Sequence, residues 1–536
     1  MLKYLGSPSK VSWNVRPSSA CIGHTRWATH GKVTIQNAHP HTDCYNRIAV
    51  VHNGTLENYI EIKKELESKG HKFNSETDTE VISHLIEENV QCGIPLRDAI
   101  IKSLRDIKGS YAIAVLSKYD PRIVVARNSN PIFVGLDGIN RCICSDIPTL
   151  SLYSESMIPL DPYEIAFVGD SVEIYDFSGE RIERKPIQIK SIKNRISLEG
   201  YKTYTEKEIF EQPQALSDCS TVTENELKPI VDSILNSNRL YIVGAGTSYH
   251  AALIGSYIFR DAGILSESIQ SQEFPFKSVV DSKTTCIFLS QSGTTADTNN
   301  AINYASRARK IGIVNVFGSE MEKYVDYVAY TRAGPEIGVA STKNFLNQVY
   351  LLNLLFLKIC ERRNIEVSYV KRDFYNMPRY VEEILRNGVP EKIILQLLQN
   401  NPIFLGLGPS YPVALEAALK FKELTYMDAI AYFSGELKHG PLATVFEGRN
   451  IVSINPEQNK TTKINLEEAK SRGAKIINIG SENELYDFCI NVPNVSISLT
   501  PIVSIIPAQL FALKVAEKLG REIDKPRNLA KSVTVE

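Results

Sequence analysis

Glu416, Lys420 and Glu423 recur at i, i+4 and i+7 in a helical run, so three ionisable groups share one face. Shortly after them the turn-rich stretch Gly435-Glu-Leu-Lys-His439-Gly-Pro presents a histidine. A carboxylate, an ammonium and an imidazole beside one substrate can move protons on a sugar. Taken alone, the helix triad also fits a solvated face with a Glu→Lys pair, and the histidine fits a surface side chain. A second constellation gives them a substrate. Ser290-Gln291-Ser292-Gly293-Thr294-Thr295 combines hydroxyls and a glycine between an apolar run and a helix-like segment. Such a turn lets backbone N–H groups approach an anion whose charge the helix N-terminus favours. Gly244-Ala-Gly-Thr247-Ser248 precedes it, and the pair points to a phosphorylated small molecule.

The elements that must hold these residues are duplicated. Gly-x-Gly-x-Ser-Tyr occurs at Gly244–Tyr249 and again at Gly406–Tyr411, each time after an apolar run and before a helical one. Compact apolar runs at Leu240–Val243, Thr285–Leu289 and Gly312–Val316 alternate with helical segments, and Thr342–Arg362 reads as a long buried helix. Ile403–Leu405, Asn450–Ile454 and Lys475–Ile479 repeat the scheme. The pattern predicts two doubly wound parallel α/β units with ligands at the carboxyl ends of their strands. The copies are unequal, because the second has Ser453-Ile-Asn-Pro-Glu where the first has its hydroxyl turn.

The N-terminal third reads differently. Short strands are expected at Arg47–Val51, Ser110–Leu116, Arg122–Ala126 and Glu164–Val168, with helices at Glu57–Lys69 and Thr79–Asn89. Thr77-Asp78-Thr79-Glu80 resembles an N-capping sequence for the second helix. The mixture predicts an α+β layer sandwich. The expected division is residues 1–190, a polar linker over 191–215, α/β units over 216–370 and 371–523, and a tail over 524–536.

Composition excludes other classes. The 536 residues carry 60 basic against 61 acidic groups, a net charge of −1, which gives nucleic acid no basic footprint. The longest apolar stretch, Val349–Cys360, is interrupted by Asn353 and Lys358 and is too short for a bilayer. Nine scattered cysteines suit a reducing, cytoplasmic compartment. Cys142 and Cys144 are too close for a zinc knuckle. Neither a metal-ligand set nor a cofactor site is read from the sequence.

Five motifs in order carry a family resemblance over essentially the whole chain. They are Gly244-x-Gly-Thr-Ser-Tyr, Ser290-Gln-Ser-Gly-x-Thr-Ala-Asp297, Glu336-Ile-Gly-Val-Ala-Ser-Thr-Lys343, Ser434-Gly-Glu-Leu-Lys-His-Gly-Pro-Leu442 and Pro526-Arg-Asn-Leu-Ala-Lys-Ser-Val-Thr-Val-Glu536. Together they resemble the glutamine–fructose-6-phosphate aminotransferases, whose duplicated unit is the sugar-isomerase (SIS) domain. The resemblance implies that Thr247, Ser290, Gln291, Ser292 and Thr295 hold the phosphate, with Ser248 close by, and that Val339 and Ser341 line the sugar. It implies a Schiff base between Lys531 and C2 of fructose 6-phosphate, formed without pyridoxal phosphate. Glu423 would move the proton between C1 and C2, His439 would assist ring opening from a partner subunit, and Glu416 and Lys420 would be polar partners. A homodimer with shared sugar sites follows. Ala245 and Thr294 stand where the bacterial form often has cysteine and glutamate.

The first domain, with Gly23-His-Thr-Arg-Trp-Ala-Thr-His30-Gly, Asn37-Ala-His-Pro-His41, Val51-His-Asn-Gly54 and Ser75-Glu-Thr-Asp-Thr-Glu80, resembles the glutaminase domain of N-terminal-nucleophile amidotransferases. The resemblance implies that Arg26 binds the glutamine carboxylate and Asp78 its α-amino group, that Thr29 and His30 flank the site, and that Trp27 lies on its closing loop. Asn53 and Gly54 would form the oxyanion hole. In that family the nucleophile is an N-terminal cysteine, whereas residue 2 here is Leu. Cys21 is expected on a buried strand as a core thiol and Cys44 in a polar loop. Three explanations stand: a true start further upstream, which we favour, a separate polypeptide, or an enzyme that uses free ammonia beside an inactive glutamine domain. A further alternative is a sugar-phosphate sensor, which would need the cradle but not Glu423, His439 and Lys531.

Overall fold

The computed structural model describes residues 1–6, 8, 11, 18–26, 31–128, 130–138, 140–188 and 197–532. They fall into two compact units, one up to residue 188 and one from residue 197.

The first unit is built on a seven-stranded sheet in the order His41–Thr42, Ile48–Leu56, Gly109–Ser117, Ile123–Arg127, Glu164–Val168, Val172–Asp176, Arg181–Ile182, antiparallel throughout. Alternate residues point to opposite faces. On one face Val50, Ile113, Val115, Val124 and Phe167 pack against Ile62, Leu66, Ile82 and Ile86 of the helices Tyr59–Ser68 and Glu80–Gln91. On the other face Val51, Ala114, Val125 and Ala166 meet Val134 and Ile158 of a four-stranded antiparallel sheet. Burial on both faces is why these strands read as continuous apolar runs.

Two expectations change here. Thr79 does not cap its helix through its side chain. Its hydroxyl lies 3.0 Å from His52 Nδ1 and 3.3 Å from His39 Nε2 instead, so tertiary partners have taken the group that local sequence assigns to the cap. Cys21 is exposed and outside any strand; of the residues around it, Ile22 is the one that packs on the inter-sheet core.

The second unit holds two five-stranded parallel sheets. The first runs Ser266–Gln270, Arg239–Gly244, Thr284–Ser290, Arg309–Val314, Tyr327–Tyr330, and the second Ile430–Phe433, Ile403–Gly406, Asn450–Asn455, Lys475–Gly480, Phe488–Asn491. In both, the strand first in sequence lies second in the sheet, the doubly wound order with its switch point beside that strand. The duplication extends to single atoms. A Cβ on Gly244 would lie 2.8 Å from the carbonyl oxygen of Ser248, and one on Gly406 would lie 2.3 Å from that of Ser410. Each first glycine therefore lets its strand meet the opening turn of its helix.

The helices Lys343–Arg363 and Thr500–Lys518 are buried along most of their length. The expectation that Val349–Cys360 is the longest apolar stretch is corrected here: Ile497–Lys518 is long and apolar enough to cross a membrane by composition, and 94% of its most apolar stretch lies inside this unit.

The stretch expected as linker is helical over Tyr204–Phe210 and from Gln212 to Cys219. Thr205, Lys207 and Glu208 are buried polar residues. Asp524 accepts from the backbone N–H groups of Tyr204 and Thr205 (2.9 and 2.8 Å) and from the Thr205 hydroxyl (2.9 Å). Polar side chains that are buried against polar partners leave no apolar period to read.

Candidate functional site

In the second unit, three strand ends and the tail converge. Helix Ala296–Tyr304 starts after the strand Thr284–Ser290, and the turn between them is closed by its own hydroxyls. Ser290 Oγ accepts from Gly293 N–H (3.0 Å) and lies 3.2 Å from Thr295 Oγ1. Gln291 is half-buried beside it, and its carbonyl accepts from Asn315 N–H (3.1 Å). Ser292 Oγ accepts from Thr294 N–H and Oγ1–H, and lies 2.9 Å from Ser532 Oγ. Thr294 Oγ1 is 3.1 Å from that same Ser532 hydroxyl. The tail thus ends on the cradle.

One residue earlier, Lys531 Nζ donates to the buried Glu336 carboxylate at 2.6 Å and to the Gly338 carbonyl at 2.8 Å. Glu336 also accepts from Ser341 Oγ (3.0 Å), Thr342 N–H (2.9 Å) and Asn344 N–H (3.0 Å). Burial alone would raise the Glu336 pKa, but Lys531 and these donors outweigh it and hold the group below the usual carboxylate range. Beneath lies Glu208, which accepts from the N–H groups of Ile337 and Gly338. Burial pushes its pKa up to about 8; Lys531 opposes the rise and Glu336 adds to it. Val339 donates its N–H to the Asp524 carbonyl (2.9 Å). The loop carrying Val339 and Ser341 is therefore held by the tail on one side and Glu208 on the other.

The helix triad is also assembled. Lys420 Nζ lies 2.6 Å from Glu423 Oε2 and 3.3 Å from Glu416 Oε1, and donates to Thr247 Oγ1 at 3.1 Å. Thr247 donates to Glu416 Oε1 (3.1 Å), and His250 Nδ1 is 2.6 Å from Glu416 Oε2. Ser248 Oγ accepts from Gln348 (3.0 Å). Burial favours neutral lysine, yet Glu416 and Glu423 offset it and raise the Lys420 pKa. Glu416 is depressed: burial acts upward, and Lys420, His250 and Thr247 prevail. These are not solvated charges; the Glu416 and Lys420 side chains are 0% and 1% exposed. His439 stands apart. It is exposed, and its N–H donates to the Glu436 carbonyl (3.0 Å); among the described residues no hydrogen bond joins it to Lys531 or Glu423. In the second copy, Glu457 accepts from Thr500 Oγ1 (3.2 Å), so an acid occupies the stretch corresponding to the cradle.

In the first unit, Asn53 and Gly54 lie on the strand Ile48–Leu56, paired with Ala112 and Tyr111. His24 Nε2 is 2.7 Å from Asn53 Oδ1, and Asn130 donates to the Asn53 carbonyl (2.7 Å). Burial lowers the His24 pKa, which favours the neutral imidazole. Donation from its Nε2–H aims the Asn53 Nδ2 donors away from the ring. Asp78 accepts from Leu56 N–H (2.9 Å), which ties it to the same strand. Arg26 donates to the carbonyls of Gly31 and Lys32 (3.2 Å each); burial lowers its pKa and Asp78 acts against that. His39 and His41 are likewise shifted down by burial, His41 to about 4. Trp27, Thr29 and His30 lie outside the described residues.

Sequence reasoning gave no role to Glu208, His250, Glu336 or Ser532. Glu336 and Ser532 sit inside quoted motifs, and His250 directly follows one, so proximity to a motif was an available signal. Glu208 had none, because it lies in the expected linker.

Comparison with known proteins agrees with this architecture. A family model described as a glutamine amidotransferase domain matches residues 24–151, and one described as a SIS domain matches residues 233–358 and 398–517. The chain thus has the build of an amidotransferase domain ahead of two SIS domains. It is 41% identical to the glutamine–fructose-6-phosphate aminotransferase [isomerizing] of Methanothermobacter thermautotrophicus, over 97% of this chain and 89% of that one. It is 40% identical to that of Aquifex aeolicus, over 96% and 88%. Among solved structures, the C-terminal domain of glucosamine-fructose-6-phosphate aminotransferase from Francisella tularensis covers 62% of this chain and all of its own, with a TM-score of 0.58 and 32% identity. The chain belongs to the family of isomerizing glutamine–fructose-6-phosphate aminotransferases.

Proposed function

We propose that the chain converts fructose 6-phosphate and glutamine into glucosamine 6-phosphate and glutamate. The observation that carries this reading is the approach of the Lys531 amine to a buried carboxylate, one residue from a hydroxyl that joins the cradle. The sugar phosphate sits in the cradle of Ser290, Gln291, Ser292 and Thr295, with Thr247 and Ser248 at the adjoining helix start. Lys531 gives up a proton, for which Glu336 is the nearest acceptor, and adds to C2; loss of water leaves the imine. Ammonia then displaces the lysine. Glu423 moves the proton between C1 and C2, and Lys420 and Glu416 keep it oriented. In the first unit Arg26 and Asp78 hold the ends of glutamine, and Asn53 Nδ2 with Gly54 N–H meets the oxyanion that forms when the family's N-terminal cysteine thiolate adds to the side-chain amide; collapse of that adduct expels ammonia, and water releases glutamate from the thioester.

His439 comes from a second copy of the chain in a homodimer; its exposure, with no hydrogen bond to Lys531 or Glu423 among the described residues, supports this. All nine cysteines are free, which supports a reducing compartment such as the cytoplasm.

The test incubates the full chain with fructose 6-phosphate and borohydride, then maps the adduct. The expected result is a reduced sugar on Lys531, and glucosamine 6-phosphate when ammonium replaces borohydride, or when glutamine does in a chain that carries the family's N-terminal cysteine. Product from ammonium but not glutamine in that cysteine-bearing chain would reject the glutamine half. Sugar phosphate bound with no adduct and no product would favour a sensor.

A further inference from the structure

Away from both sites, four side chains of the first unit converge on one point. Cys44 lies in the turn before the strand Ile48–Leu56, His71 follows the helix Tyr59–Ser68, and His84 and Glu87 are at i and i+3 on the helix Glu80–Gln91. Their ligand atoms all lie within 4.8 Å of one another. His71 Nδ1 and His84 Nδ1 are 3.3 Å apart, and each is 3.0 Å from Glu87 Oε2. Cys44 Sγ is 3.7 Å from His71 Nδ1 and 3.6 Å from His84 Nδ1. Bonds of about 2.0–2.3 Å from zinc to nitrogen, oxygen and sulfur place tetrahedral corners roughly 3.3–3.6 Å apart. The observed spacings are close to those of such a tetrahedron.

The surroundings have the form of an outer shell. His71 Nε2 is 3.1 Å from Glu88 Oε2, within hydrogen-bond reach, whereas His84 Nε2 is 3.7 Å from Glu80 Oε1, close enough for charge attraction but making no hydrogen bond. Metal-binding imidazoles characteristically turn their second nitrogen to a carboxylate, which fixes the tautomer. With Nε2 protonated on both rings, two Nδ1 lone pairs, a carboxylate oxygen and a sulfur face one another. His71, His84 and Glu87 are buried, so water does not screen that repulsion. A cation at the centre removes it.

We propose that Cys44, His71, His84 and Glu87 bind one zinc ion. The mixed sulfur, nitrogen and oxygen donors suit a borderline-soft divalent ion. Four protein ligands leave no open position, so the ion is structural. It clamps the Cys44 turn to the helix. Through His84 it also bears on Glu80, which accepts from Asn74 N–H, Ser75 N–H and Ser75 Oγ. The ion therefore braces the segment that carries Asp78.

The test uses the full chain. Elemental analysis after incubation with zinc and desalting should give about one ion per chain. Cobalt(II) added to the stripped protein should give a sulfur-to-cobalt charge-transfer band. Cys44→Ser should remove that band and, like Glu87→Gln, weaken zinc binding by about tenfold or more. The Cys44 residue is exposed, so the serine variant should keep the fold, checked by a circular dichroism spectrum and a protease-resistance pattern of the first unit unchanged from those of the zinc-free wild type. A metal-free chain after zinc loading, or zinc content and a cobalt spectrum unchanged in Cys44→Ser, would overturn the site. Either result would leave a histidine–glutamate ion-pair cluster in its place.

Discussion

Lys531 is held by Glu336 and Gly338, and Glu336 in turn is fixed by three further donors. Lys531→Ala should abolish glucosamine 6-phosphate synthesis with either nitrogen donor while the sugar phosphate still binds; retained synthesis would remove the Schiff-base role. Glu336→Gln keeps the shape but loses the proton acceptor, and kcat should fall on the order of 100-fold with little change in KM. Glu208 makes a pH prediction. Its folded-state pKa is raised to about 8 from 4.5. The folded chain therefore binds a proton that the unfolded chain releases. Its stability contribution is full below about pH 4.5, declines as pH rises, and is gone once pH passes about 8. In denaturant titrations, the wild type should lose stability between pH 5 and 8 relative to Glu208→Gln, by up to ~1 kcal/mol per pH unit. Parallel curves would show that Glu208 is ionised throughout.

Among the elements, the cradle turn depends on Gly293. Its φ is +68°, and a Cβ there would lie 2.3 Å from Ser319 Oγ. Gly293→Ala should cost about 1–3 kcal/mol in a melting experiment and raise KM for fructose 6-phosphate roughly tenfold. An unchanged KM would place the phosphate elsewhere. The strands and helices of the duplicated unit were legible because apolar runs of strand length alternate with helices and each glycine turn falls between them. Helix Tyr204–Phe210 was not, because its buried residues Thr205, Lys207 and Glu208 are polar and the partners of Thr205 and Glu208 lie about 130 residues or more along the chain. The zinc ligands escaped notice for a related reason: Cys44 and His84 are 40 residues apart, and the fold alone closes that interval.

For the whole molecule, a sugar site shared between two copies predicts complementation. Lys531→Ala and His439→Ala chains, each inactive, should recover about a quarter of wild-type activity when unfolded together and refolded. Half the dimers would be mixed, each with one intact site. No recovery would mean that both residues act within one chain. The sequence by itself determined the duplicated α/β unit, the inequality of its copies and the residue types of both sites, since periodicity and turn chemistry are local. Only the tertiary structure decided that Glu416 and Lys420 are a buried ion pair rather than a solvated face. It also turned Thr79 from a cap into a histidine partner and set Lys531 against Glu336 across 195 residues. Those outcomes depend on which distant groups share a dry space, where an unpaired charge is costly and a paired one is held in place.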